Sequence, residues 1–311
     1  MILCVGLTPV YQRTLTIEGF QIDRVNRVKP GILESSAGKG INVARTIKTL
    51  GHDALVTGFL GGDTGKYVQS ALAEEGLRAD FVHVTNATRI CTTIIDPQQQ
   101  TYTEIVEEGR PVSDSEIEQI CQLYAQHLAD CRLVAIAGSA PQRVPHDIYA
   151  DFIRAAHTLH KPVLVDTQKK LLLHSLDARP FLVKINREEL GAAFQQQIDS
   201  TETLFHLIDR LHERGVECVL ISHGKDALLL SYAGKRWRIF PPSIQAVNPI
   251  GSGDAVLGGL AVALSEGQAP VEAARLGTAC GAANALTLLP GSIRLEDVAR
   301  FKGDVHAELC S

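Results

Sequence analysis

Two patterns of apolar positions alternate along the chain. Short continuous apolar runs occupy residues 2–7, 54–59, 133–137, 163–166, 181–185 and 218–222. Such runs predict strands buried on both faces. Between them lie stretches with helical period, at 40–50, 65–75, 115–128, 147–160 and 202–214. In the last of these, Leu204, Leu207, Ile208 and Leu211 share one face. Ser113, with Glu116 following, reads as the capping-box start of its helix. This rhythm predicts an α/β fold with a mostly parallel central sheet and helices on both faces.

Two stretches break the rhythm, at about 11–34 and 88–108. They carry polar-alternating, β-branched segments such as Arg13-Thr14-Leu15-Thr16-Ile17 and Cys91-Thr92-Thr93-Ile94-Ile95. Each lies between a core strand and the next helix. Together they predict one small antiparallel sheet projecting from a single domain spanning 1–311. Such a sheet serves either as a lid or as a pair of decorative hairpins.

Composition narrows the classes. Of 311 residues, 45% are hydrophobic and 21% charged, as in ordinary globular chains. Lys and Arg total 30 against 35 Asp and Glu, a net charge of −5 with no basic stripe, which argues against nucleic-acid binding. Any anionic ligand must then be held by local basic residues. The seven cysteines form no C-x-x-C pair and are odd in number, so a disulfide framework or zinc site is not expected. The apolar start lacks a basic leader and a cleavage site, and no run is long enough to span a membrane. Cytoplasmic residence is the expectation.

Two glycine turns carry candidate chemistry. Val247-Asn248-Pro249-Ile250-Gly251-Ser252-Gly253-Asp254 leads into an apolar, small-residue stretch that reads as a buried helix. The glycines would let backbone N–H groups of residues 251–253 converge at its N-terminus, where an anion is favoured. A carboxylate there, Asp254, is placed to accept a hydroxyl proton during phosphoryl transfer. Alone, the motif is short, and Asp254 could be only a helix cap. Gly258 and Gly259 inside the helix predict close packing against another element, with the small-residue helix 271–288 as the candidate. The first turn, Ala37-Gly38-Lys39-Gly40-Ile41-Asn42, is not a P-loop: Leu33 replaces its first Gly, and Gly40 stands where Ser or Thr would hold magnesium. It still opens a helix, so Lys39 either binds an anion or is a solvated turn residue. Gly6-Leu7-Thr8-Pro9 after the first strand lacks the dinucleotide fingerprint, and no G-x-S-x-G elbow exists.

Ala37-Gly38-Lys39-Gly40-x-Asn42 and Gly251-Ser252-Gly253-Asp254, at this separation, resemble the two signatures of the PfkB (ribokinase-like) carbohydrate kinases. Phe59-Leu60-Gly61-Gly62-Asp63, Thr88-Arg89-Ile90, Ala137-Gly138-Ser139, Lys184-Ile185-Asn186-x-x-Glu189 and Ser222-His223-Gly224 fall in the family's order. The branch most resembled phosphorylates ketohexose monophosphates: 1-phosphofructokinase and tagatose-6-phosphate kinase. The resemblance implies a Rossmann-like core, a β-sheet lid over the sugar, and ATP with Mg2+ as cofactors. It implies Asp254 as catalytic base and Gly251, Ser252 and Gly253 as the anion hole. It assigns the sugar's phosphate to Lys39 and Arg89, its hydroxyls to Gly38 and Asn42, and its border to Ser139. It assigns the nucleotide side to Ser222 and Gly224, and places Asn186 and Glu189 near magnesium, Glu189 indirectly. Arg89 suits a phosphate because guanidinium binds bidentately; the alternative is a surface arginine. For Asn186 and Glu189 the alternative is helix capping.

The chain departs from the pattern at Gln12, where the branch has an aspartate gripping sugar hydroxyls, at Ala37 and at Ile185. The expected activity is γ-phosphate transfer to a phosphorylated ketohexose, fructose 1-phosphate or tagatose 6-phosphate. A kinase of an unphosphorylated sugar or nucleoside, and a non-catalytic sugar-phosphate binder, are the rivals. A homodimer through exposed lid edges is expected.

Overall fold

The computed structural model describes residues 1–29 and 31–310. Across the main sheet the strands run Arg78–Ala79, Ala54–Thr57, Ile2–Val5, Leu133–Ala137, Val163–Asp166, Leu182–Asn186, Cys218–Ser222, Leu228–Tyr232, Lys235–Phe240 and His306–Leu309. The pairs from Arg78–Ala79 through Cys218–Ser222 are parallel, and the last three strands are added antiparallel. The central parallel strands are mostly apolar because both faces are covered. Ile2 and Cys4 pack into one core with Ile41, Val43 and Leu257, while Leu3 and Val5 pack into another with Ile120 and Ile153.

The antiparallel edge, residues 228–240 and 306–309, was not expected from the apolar runs. Lys235, Arg236 and Arg238 interrupt it, as suits half-exposed strands. Helices Lys169–Leu176 and Leu295–Asp304 also lie outside the helical stretches that the sequence predicts. The expected strand 54–59 divides at Gly58. Ala54–Thr57 stays in the main sheet, and Phe59–Gly61 pairs with Val82–Val84. A Cβ at Gly58 would lie 2.1 Å from the Gly6 carbonyl oxygen, so the chain must turn there without a side chain.

The chain departs from Ile2–Val5 toward Ala54–Thr57 on one side and later toward Leu133–Ala137 on the other. A crevice opens where the order reverses, at the C-terminal ends of these strands, which is where open α/β sheets bind ligands. The lid rises from this crevice. Its strands are Leu33–Ala37, Val10–Thr16, Arg89–Asp96 and Thr101–Val106, in that spatial order. Leu33–Ala37 with Val10–Thr16, and Arg89–Asp96 with Thr101–Val106, pair antiparallel as expected, but the expectation of a wholly antiparallel lid is corrected at its centre, where Val10–Thr16 and Arg89–Asp96 are parallel. The chain between them makes a full crossover through the core, which is what parallel pairing requires. Residue 30, inside the expected insertion 11–34, lies outside the described residues, as does residue 311.

Candidate active site

Asp166 ends one central strand, and Lys184 lies near the end of its neighbour. Lys39 opens the helix Lys39–Thr49 after Gly38, whose φ of 111° a side chain would strain. That helix crosses the first strand closely: a Cβ on Gly40 would sit 2.7 Å from the Gly6 Cα. Lys39 Nζ donates to Asp166 Oδ1 at 2.7 Å, and Lys184 Nζ donates to Asp166 Oδ2. One buried carboxylate therefore holds two ammonium groups. Burial pushes Asp166 up, yet Lys184 and Lys39 hold it down, at about 2. Lys39 is disfavoured by burial but kept charged by Asp166, Asp254 and Glu189.

The second glycine turn closes on this cluster. Gly251 adopts φ 83° as the cap of helix Ser252–Ser265, with Pro290 and Gly291 against it. The Ser252 N–H donates to the Pro249 carbonyl, and the Ala255 N–H to that of Gly251. Among the described residues the N–H groups of Gly251, Gly253 and Asp254 have no such partner. A Cβ on Gly253 would lie 2.9 Å from Lys184 Nζ, so that ammonium stands at the helix N-terminus. Asp254 is 6% exposed and accepts from Asn42 Nδ2 at 2.7 Å. Burial pushes its carboxyl up, Lys39 pulls it down and Asp166 pushes it up again, leaving it at about 6. Asn284 clamps the turn from behind, donating to the Ile250 carbonyl and Ser252 Oγ and accepting from the Gly291 N–H.

On the lid side, Gln12 is buried and donates to Thr93 Oγ1 at 2.9 Å. Arg89, opposite Val10, donates to the Glu107 carbonyl and to the carbonyl and hydroxyl of Thr8. Thr8 Oγ1 lies 3.1 Å from Ser139 Oγ. Thr8, Arg89 and Arg110 line a cavity of about 30 Å³ at the junction of lid and core. Lys39 and Arg89, both expected on the sugar's phosphate, do not meet on a common partner: one ammonium goes to Asp166, the guanidinium to Thr8 and Glu107.

On the other side, Asn186 and Ser222 are register partners at adjacent strand ends. Asn186 and Glu189 form a reciprocal capping box, each side chain accepting from the other's N–H. Gly224 has φ 56° with open space where a Cβ would be. A cavity of about 390 Å³ lies beside them, lined by Arg187, Glu188, Gly191 and His223. Among the described residues no three acidic, His or Cys side chains cluster as a metal cage.

The sequence pattern gives no role to Asp166, and it carries Lys184 only as a motif residue without a role. The signal was their place at the ends of buried parallel strands, where a charged residue closing an apolar run faces the crevice.

A family model described as pfkB family carbohydrate kinase matches residues 1–293. A protein described as a possible 1-phosphofructokinase from Thermotoga maritima is 25% identical, with a TM-score of 0.92 and coverage of 100% of both chains. Phosphofructokinase-2 from Escherichia coli in complex with fructose-6-phosphate is 23% identical, with a TM-score of 0.87 over 97% of this chain and 98% of that one. A ribokinase from Thermotoga maritima is 19% identical, with a TM-score of 0.76 over 97% and 98%. With the family's two glycine motifs folded onto one carboxylate cluster, the chain belongs to the pfkB family of carbohydrate kinases.

Proposed function

We propose that this kinase moves the γ-phosphate of ATP to a hydroxyl of a phosphorylated ketohexose, with Asp254 as general base. One observation carries the reading. A buried carboxylate, held by Asn42, sits beside free N–H donors and two ammonium groups at the start of a helix. At neutral pH a carboxyl at about 6 is mostly ionised and still basic enough to take a proton. Asp254 accepts the acceptor's hydroxyl proton as that oxygen bonds the γ-phosphorus. The bond from phosphorus to the bridging oxygen breaks, and ADP leaves with that electron pair. The free amides of 253 and 254 and the Lys184 and Lys39 ammonium groups stabilise the charge spread over the phosphoryl oxygens.

Magnesium fits as a nucleotide-borne ion, since among the described residues no carboxylate cage is built for it. Glu189 has one carboxylate oxygen free of the capping box to meet it, and the ion neutralises phosphate charge when bound. The gap between Asn186, Ser222 and Gly224 is the proposed nucleotide side. Thr8, Arg89 and Ser139 are the proposed acceptor side, and the lid excludes water. The neighbour crystallised with fructose-6-phosphate supports a ketohexose phosphate as acceptor. Gln12, neutral and turned to Thr93, marks the hydroxyl-binding end as altered.

ADP release measured across fructose 1-phosphate, fructose 6-phosphate, tagatose 6-phosphate and their unphosphorylated parents decides the acceptor. Preference for a parent sugar removes the phosphate from the reading. Asp254→Asn is expected to bind ATP normally and to lose about 10²–10⁴-fold in kcat. Near-normal turnover in that variant would falsify the base assignment.

A further inference from the structure

Arg45 is a buried cation for which the reaction above has no role. It lies on helix Lys39–Thr49 and is 5% exposed. Its Nε and Nη2 grip Glu75 at 2.7 and 2.9 Å. Nη2 also reaches the Ser36 carbonyl and hydroxyl, each at 2.8 Å. Nη1 donates to the Pro290 carbonyl at 2.6 Å and to Asn42 Oδ1 at 3.3 Å.

The last contact reaches the chemistry. A primary amide is nearly symmetric in shape and opposite in polarity at its two ends. A guanidinium only donates, so it selects Oδ1 of Asn42. Nδ2 is then left to face Asp254, where it donates at 2.7 Å. A flipped amide would set oxygen against carboxylate and N–H against guanidinium, unfavourable at both ends.

We propose that Arg45 is a positioning residue for phosphoryl transfer: by fixing the Asn42 amide it keeps an N–H donor on Asp254. The inference rests on Asp254 being the base. The charged groups facing Asp254 are Lys39 from its own neighbouring helix, Asp166 from strand Val163–Asp166 and Lys184 from strand Leu182–Asn186. Arg45 has hydrogen bonds to none of these three, so its influence on the base passes through Asn42. The Asn42 hydrogen bond favours the ionised carboxylate, and losing it favours the protonated one. The same guanidinium ties together the end of a lid strand at Ser36, residue 75 after helix Gly62–Glu74, and the 290–291 turn that backs Gly251.

The test compares Arg45→Lys, Arg45→Gln, Asn42→Ala, Glu75→Gln and the double variant Asn42→Ala/Arg45→Lys. Two readouts are taken: kcat/KM against pH with the best acceptor of the panel, and Tm against pH, which needs no turnover. In both Arg45 variants and in Asn42→Ala, the acid limb should move up by about one pH unit, the size of one hydrogen bond to a charged group. The pH window over which Tm falls should move with it. Glu75→Gln, which keeps the Asn42 contact, should lower Tm and leave the acid limb in place. Adding Arg45→Lys to Asn42→Ala should move the limb no further. A folded Arg45 variant with an unmoved limb and window overturns the inference. So does an unmoved Asn42→Ala, even if no Arg45 variant folds, because Arg45 then has nothing to act through. An active Asp254→Asn sinks the base assignment instead, and is read separately.

Discussion

Asp254 is ionised at a cost to folding. Its carboxyl rises from an ordinary 3.8 to about 6 because it is buried. The folded state therefore holds this proton more tightly than the unfolded chain. Stability from this group is full below about pH 4, falls as pH rises toward about 6, and stays down above that. Asp254→Asn, which lacks the charge, should gain on the order of 2–3 kcal/mol over the parent at pH 8. That gain should vanish near pH 4, as paired thermal melts would record. Asp166 runs the other way. Held at about 2 by its lysines, it contributes stability above an ordinary carboxylate's range, lost as pH falls through about 2. Asp254 was legible from its motif, since a glycine turn and an acid at a helix start restrict the chemistry. Asp166 was not, because its importance comes from two lysines on other elements, one of them 127 residues away, reaching the same carboxylate.

Helices and turns divide in the same way. The sequence predicts the capping box at Ser113 and Glu116, and the structure forms it, because caps are local. Asn186 and Glu189 form another such box, which satisfies their capping alternative. Gly258 and Gly259 predict a packing seam, and two helices supply its partners. A Cβ on Gly258 would meet Thr46, and one on Gly259 would lie 2.7 Å from the Gly277 Cα. The helix carrying Asp254 is thus wedged between helices Lys39–Thr49 and Pro270–Ala285. Gly259→Val should cost about 1–3 kcal/mol through overpacking, measurable by denaturant unfolding. If it unfolds like the parent, the seam is looser than the geometry states. The one parallel pair of the lid is invisible to the sequence pattern, because strand direction depends on where the chain has travelled between residues 16 and 89, not on the alternation of either strand.

In the molecule as a whole, core and lid meet at the crevice, and Tyr102 on the lid edge donates to the Ala246 carbonyl across it. Thr101–Val106 is an edge strand with Ile105 58% and Val106 53% exposed. An apolar edge left open invites pairing. We propose that it joins two copies of the chain. Ile105→Lys should halve the mass seen by sedimentation equilibrium; a monomeric parent would remove the proposal. No helix among the described residues is long and apolar enough to cross a membrane.

Period and local chemistry were enough to set the α/β class, most core elements, the glycine turns and the family they resemble. Those features depend on neighbours a few residues apart, where side-chain spacing and backbone freedom act directly. Long-range geometry alone assigned the rest. It sent Lys39 to Asp166 and Arg89 to Thr8, turned Gln12 to Thr93, and set Arg45 against Glu75 and the Pro290 carbonyl. Charges buried together must find partners wherever the fold brings them, and no local pattern records which partner that is.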